Sequence, residues 1–107
     1  WAPQVTALID AVPADRLFRW GLFVRQPLED WVAGRTALLG DAAHPMLPYM
    51  GQGASSAIED AVILARAFAT SSDVETALGR YARTRIPRAS FLQAQSMNDV
   101  ASLAEGH

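Results

Sequence analysis

The run Gly40-Asp41-Ala42-Ala43-His44-Pro45, closing on Gly51-Gln52-Gly53-Ala54, joins a short apolar segment to a helical pattern through a loop dense in glycine and proline. Ahead of it, Thr36-Ala37-Leu38-Leu39 reads as a short buried strand ended by Gly40. Behind it, Ala57, Ile58, Ala61, Leu64, Ala65 and Phe68 recur at three- and four-residue steps, which predicts an amphipathic helix from Ala54 to about Ala69. Small residues on its early turns permit close approach to another backbone. The first turn of a helix leaves amide hydrogens unpaired, and the aligned peptide dipoles place about half a positive charge there. Glycines at that point let a planar ligand lie against the backbone. A group that is anionic, or becomes so, is favoured by about 0.3–1 kcal/mol, and by up to about 2 when partly buried. That corresponds to roughly one pKa unit of the ligand. Asp41 can accept hydrogen bonds from vicinal hydroxyls, as on a ribose, or cap a local turn through its own backbone. Spacing alone leaves both readings open, and it equally allows a glycine-rich helix start filled only by water.

Working outward, Ser72-Asp73-Val74-Glu75 has capping-box spacing and predicts a second helix with the stripe Val74, Ala77, Leu78 and Tyr81. Pro87 kinks or ends it, and Arg88 to Ala104 reads as a last helix carrying Leu92, Val100 and Leu103. Upstream, Pro27 to Gly34 is a connector. In Leu17–Val24 the residues Phe18, Trp20, Leu22 and Val24 share one parity, the signature of a strand with one apolar face. Pro3 to Val12 predicts a helix stopped by Pro13. The expected class is an α/β fragment, with one or two strands followed by three helices. Two strands separated by a long connector do not make a stable sheet by themselves, so the pattern reads as part of a larger α/β protein.

Composition sets the outer bounds. With 107 residues there is room for one small domain. Half of the residues are hydrophobic, enough for a core. A net charge of −2 without a basic tract gives no support to nucleic-acid binding. The absence of cysteine excludes disulfides and thiolate metal sites and fits a reducing, cytoplasmic compartment. No apolar run reaches the roughly 20 residues of a membrane span, and the start at Trp1-Ala2-Pro3, without a charged leader followed by an apolar stretch, shows no signal-peptide pattern.

Other chemistries find less support. His44 with Asp41 invites a metal, but such a site needs three or four ligands. Glu59 and Asp60 on the helix are expected to meet solvent or pair with Arg66. His44 could act as a base, although Pro45 beside it favours a structural role. Ser55 and Ser56 do not sit in G-x-S-x-G, and His107 is terminal, which removes a serine-hydrolase reading. Arg83, Arg85 and Arg88 with Tyr81 read as a solvated basic face around Pro87, or as an interdomain anchor.

Taken together, Trp31 to Pro45, then Pro48-Tyr49-Met50-Gly51-Gln52-Gly53-Ala54, then Glu59-Asp60-Ala61 closely resemble the C-terminal half of FAD-dependent aromatic-ring monooxygenases, in particular the salicylate hydroxylase-like members. The likeness extends upstream over Arg19-Trp20 to Pro27 and downstream over Ala77-Leu78, Tyr81, Arg85 and Pro87. It implies the C-terminal portion of a Rossmann-like FAD-binding fold. Residues 1–30 would be the end of a substrate-domain sheet with its connector, and residues 31–107 part of the FAD-binding domain. It further implies that Gly40 and Asp41 lie where FAD crosses the protein, with Asp41 on its ribityl or ribose hydroxyls. Pro48, Gly51, Gln52, Gly53 and Ala54 would cradle the isoalloxazine ring. The implied activity is hydroxylation of a small aromatic substrate with NAD(P)H and O2. Where many relatives carry an acidic residue before the arginine, this chain has Val24-Arg25. The family's G-x-G-x-x-G unit, its middle Asp-Gly motif and most of its substrate domain are not found in these 107 residues, so the isolated chain is expected to be inactive. The other expectation is a non-catalytic remnant or interaction module that folds by docking to a partner or by forming an oligomer.

Overall fold

The computed structural model describes residues 1–48 and 51–105; Tyr49 and Met50, part of the motif quoted above, lie outside the described residues. Helix α1 (Pro3–Asp10) comes first, followed by a 3-10 turn at Ala14–Arg16. Strands β1 (Val32–Ala33) and β2 (Thr36–Ala37) then form a short antiparallel hairpin. A 3-10 turn at Gly40–Ala42 leads to the two long helices, α2 (Gly53–Thr70) and α3 (Val74–Glu105). One helix precedes the strands, as Pro3 to Val12 predicts, and two follow them, which corrects the expected three helices after the strands.

The merger of the last two expected helices has a local cause. A proline inside a helix removes one backbone bond. Here the carbonyl released by Pro87 belongs to Arg83, which is exposed and can be hydrated. On either side of Pro87, Ala82, Arg85, Ala89 and Gln93 are buried and hold one continuous helix in place. The start of α3 also differs by one residue from expectation. Asp73, not Ser72, is the cap, its Oδ1 accepting the amide of Thr76 at 2.7 Å. That bond keeps the Asp73 carboxyl below its ordinary pKa.

Where the sequence pattern predicts a connector and a lone strand, the chain forms a hairpin. Its turn is Gly34-Arg35, with Gly34 at φ +58, and it is closed by the amide of Leu38 bonding to the carbonyl of Trp31 at 2.9 Å. Two cross-strand pairs, Val32 with Ala37 and Ala33 with Thr36, set the register. Leu17–Val24, by contrast, is not a strand. Its alternating side chains find no ladder partner among the described residues, and Phe18, Trp20 and Phe23 are largely exposed. Helix α1 forms where expected but buries nothing.

The core lies where α2 and α3 pack antiparallel along their lengths, with α3 also against the hairpin. It is built from Trp31, Ala43, Ala67, Ala77, Tyr81 and Ala89, with Leu28, Leu38, Ile63, Leu64 and Ile86 around it. The period of α2 is as expected, but its phase is rotated by one residue. Ser56, Asp60 and Ala67 face inward, whereas Ile58, Val62 and Phe68 are exposed. The stripe of α3 at Ala77, Leu78 and Tyr81 is buried as expected. The chain is extended overall, with a radius of gyration of 18.4 Å against about 13 Å for a compact domain of this size. Its accessible surface is 7690 Å², against roughly 5,800 Å² for a compact monomer of its mass. No helix among the described residues is long and apolar enough to cross a membrane.

Candidate functional site

Leu39 leaves the hairpin in extended conformation, and Gly40 turns the chain at φ +65, a conformation that favours glycine. The turn lies close against α2, where a Cβ on Gly40 would make ordinary contact with that of Ala57 at 3.5 Å. The amides of Ala43 and His44 both bond to the carbonyl of Gly40 at 2.9 Å, which winds residues 40–44 into a tight turn. Asp41 points outward from this turn and is exposed. Its Oδ1 lies 3.9 Å from the position a Cβ would take on Gly53, the first residue of α2. The turn after the strand and the mouth of the helix are therefore neighbours.

The remaining predicted residues gather at the same mouth. The carbonyl of Pro48 accepts the amide of Gly51 at 3.0 Å. Gly51 is exposed at φ +63, and a Cβ on it would meet no described atom within 4 Å. Gln52 is helical in conformation, and its carbonyl accepts the amide of Ser56 at 2.9 Å. The ladder of α2 begins with that bond, so the amides of Gly53, Ala54 and Ser55 precede it. Ala54 is exposed.

Beneath the turn lies a buried polar cluster. Asp60, expected at solvent or on Arg66, is fully buried. Its Oδ2 accepts the amide of Gly40 at 3.0 Å and faces His44 Nε2 at 2.5 Å, and its Oδ1 accepts Arg85 Nε at 2.7 Å. Arg85, expected on a solvated basic face or as an interdomain anchor, is only 3% exposed, and its other nitrogens donate to Glu59 Oε2 at 2.8 Å and the carbonyl of Ser56 at 3.2 Å. The sequence did carry a signal for it, because Ala77, Tyr81, Arg85 and Ala89 continue one buried stripe at four-residue steps. His44 has the structural surroundings expected of it, with its ring 5.3 Å from that of Trp31. Tyr81 donates to the carbonyl of Leu38 at 2.8 Å, tying α3 to the end of the hairpin. Burial, followed by the charge of Asp60, raises the Tyr81 phenol well above its ordinary pKa, so the hydroxyl remains a donor. Arg25 donates to the carbonyls of Ala42 and Ala43, while its own carbonyl accepts Gln93 Nε2 at 2.8 Å. The arginine after Val24 therefore has a polar role, securing the Gly40 turn against α3.

Glu59 extends the cluster to the surface through Arg85 and Arg88. The Arg88 hydrogen bond, followed by the charge of Arg85, outweighs burial and brings the Glu59 carboxyl from 4.5 to about 2. A carboxylate lowered in the folded state contributes stability above its unfolded pKa and loses it as pH falls through the folded value. Because the Glu59 side chain is 39% exposed, solvent screening leaves about 1 kcal/mol rather than the roughly 3 that the shift alone would give. Glu59→Gln is expected to lower the unfolding free energy measured in urea by about that amount at neutral pH, with the difference from wild type closing as the pH approaches about 2.

The Gly40-Asp41 turn and the glycine-started mouth of α2 thus lie side by side, with Asp41 exposed between them. The chain belongs to the FAD binding domain family, which it matches over residues 9–96. It is 44% identical over 96 residues to aurachin C monooxygenase/isomerase of Stigmatella aurantiaca, covering 90% of this chain and 25% of that protein. It is 54% identical over 78 residues to 3-hydroxybenzoate 6-hydroxylase 1 of Aquipseudomonas alcaligenes, covering 73% and 20%. The structure of Klebsiella pneumoniae HpxO complexed with FAD and uric acid superposes with a TM-score of 0.81 at 38% identity, over 90% of this chain and 25% of that one. The chain thus spans about a quarter of the length of the relatives it matches.

Proposed function

We propose that this chain is the C-terminal, ring-contacting part of the Rossmann-like FAD-binding domain of a monooxygenase that hydroxylates a small aromatic substrate with NAD(P)H and O2. The observation that carries it is the approach of Asp41 to within 3.9 Å of the Cβ position on Gly53, in a chain of the FAD binding domain family. Asp41 accepts hydrogen bonds from the ribityl or ribose hydroxyls. Gly51, Gln52, Gly53 and Ala54 present backbone to the ring, with Gly40 behind the turn and Pro48 beside the reactive edge. The donor set suits the group: first-turn amides that precede the helix ladder, and glycines at 51 and 53, of which Gly51 would place a Cβ more than 4 Å from any described atom outside its chain neighbours. Bound FAD would supply the electron transfer and oxygen activation. The helix mouth offers positive potential to the electron-rich carbonyl edge of the ring, where it stabilises added negative charge. In this division residues 1–30 end the substrate-domain sheet and residues 31–107 belong to the FAD-binding domain. The chain by itself holds and orients the ring without turning over.

Flavin titration of the 107-residue chain tests this. Saturable quenching of flavin fluorescence is expected, weakened roughly ten- to a hundredfold in Asp41→Ala, the equivalent of a lost charge-assisted hydrogen bond of about 1.5–3 kcal/mol. Equal affinity in the two chains, or substrate-stimulated NADH oxidation by the isolated chain, overturns the respective part of the reading.

A second reading, a non-catalytic module that folds by docking, is favoured by the accessible surface, roughly 1,900 Å² above that of a compact monomer, and by the exposed Phe18, Trp20 and Phe23. It gains if the chain binds no flavin but forms a tight oligomer in sedimentation measurements.

A further inference from the structure

We infer that Asp60 is a positioning residue for the cofactor site: the bonds it makes to Gly40, His44 and Arg85 fix the turn that aims Asp41 at the mouth of α2. The inference rests on Asp41 being the acceptor for cofactor hydroxyls.

Asp60 is fully buried and cannot itself touch a ligand from solvent. Yet its Oδ2 holds the amide of Gly40, the residue immediately before Asp41, at 3.0 Å. Gly40 is where the backbone leaves the extended region at φ +65, so this bond acts on the residue that sets the direction of the turn. The same oxygen faces His44 Nε2 at 2.5 Å, at the other end of the turn. A carboxylate only accepts, so in this pairing Nε2 carries the proton. Arg85 Nε, bonded to Oδ1 at 2.7 Å, ties the carboxylate to α3. Three donors from the turn and from α3 thus converge on two oxygens carried by α2, the same helix whose first residue lies beside Asp41. The buried carboxylate registers the turn against the helix that Asp41 must face.

Charge, not volume, performs this role. An amide in place of the carboxylate offers one acceptor and one donor. In Asp60→Asn the amino group must therefore confront either Arg85 Nε or the pair formed by the Gly40 amide and His44 Nε2. The turn loosens while the size of the side chain is unchanged.

The test uses two readouts on the 107-residue chain. In the flavin-free wild type, the Gly40 amide is expected to exchange with solvent far more slowly than that of exposed Asp41, and in Asp60→Asn this protection is lost. Glu59→Gln, which also contacts Arg85 but not Gly40, should leave it unchanged. In flavin titration, Asp60→Asn is expected to weaken binding about tenfold in the wild-type background and to have no further effect in Asp41→Ala, because both changes remove the same contact. Additive losses would mean that Asp60 acts on stability alone and would overturn the inference. So would a Gly40 amide that exchanges as fast as that of Asp41 in the wild type, a result that does not require any variant to fold. A wild-type chain that protects Gly40 but binds no FAD refutes the flavin reading, and with it the role of Asp60 in placing a cofactor contact. A wild type that binds FAD, with Asp60→Asn binding equally well, refutes the inference alone.

Discussion

Arg85→Met is expected to destabilise the chain by about 3–5 kcal/mol, a large share of the roughly 5–15 kcal/mol available to a native domain. Arg85 is 3% exposed, and its guanidinium supplies the partner for Asp60 Oδ1, for Glu59 and for the carbonyl of Ser56. Methionine fills much of the same volume but leaves the Asp60 carboxylate buried without its cation. In many buried pairs, replacing both members with apolar residues is neutral or better. Here it is not, because Asp60 also receives the Gly40 amide and faces His44 Nε2, and an apolar residue at position 60 would orphan both. Arg85→Met with Asp60→Leu should therefore be no more stable than Arg85→Met alone. Arg88→Met supplies the contrast. Its side chain is 57% exposed and, among the described residues, pairs with Glu59, so its loss should cost far less than that of Arg85. Urea unfolding followed by far-UV circular dichroism separates the cases. A midpoint for Arg85→Met no lower than that of Arg88→Met would refute the claim that the cluster is a buried, mutually dependent unit.

What the sequence disclosed and what it concealed divide along a physical line. Local chemistry was legible: glycine at positions 40 and 51 falls at two positive-φ turns, three- and four-residue periodicity marks α2, and the Ser72–Glu75 run marks the start of α3, with the cap one residue later at Asp73. Partnership was not. The alternation in Leu17–Val24 is a genuine strand pattern, but a strand exists only with a neighbour, and none lies among the described residues. Pro87 carries a strong breaker signal, overridden because burial of Arg85 and Ala89 holds the helix through it. Helix α2 misled in its phase, since its inward face carries Ser56 and Asp60 while Ile58 and Val62 face outward. Hydrophobic counting assumes that apolar residues go inside, and it fails where a buried carboxylate organises a loop. The recognised motif nonetheless led to the right family, because it specified the turn and the helix mouth together.

Trp31→Ala should be comparably damaging, at about 3–5 kcal/mol, and for a different reason. Trp31 is 3% exposed, with its ring 5.3 Å from His44 and 5.9 Å from Tyr81. With Tyr81 it is one of two large side chains in a buried core otherwise made of alanine, namely Ala43, Ala67, Ala77 and Ala89. Small neighbours anchored to long helices cannot move in to fill the space, so the cavity persists and its cost is added to the lost transfer energy. The damage should also spread in one direction. His44 loses the ring that steadies it against Asp60, and Tyr81 loses a neighbour while still bound to the carbonyl of Leu38. Trp31→Phe, which keeps a ring between the two, should recover about half of the loss. Trp20→Ala should fall within about 0.5 kcal/mol of wild type, because Trp20 is 80% exposed. Urea midpoints for the three variants test the order. If Trp20→Ala proved as costly as Trp31→Ala, the core would have to extend over the Leu17–Val24 segment, and the assignment of the hairpin and the α2–α3 pair as the packed centre would fail.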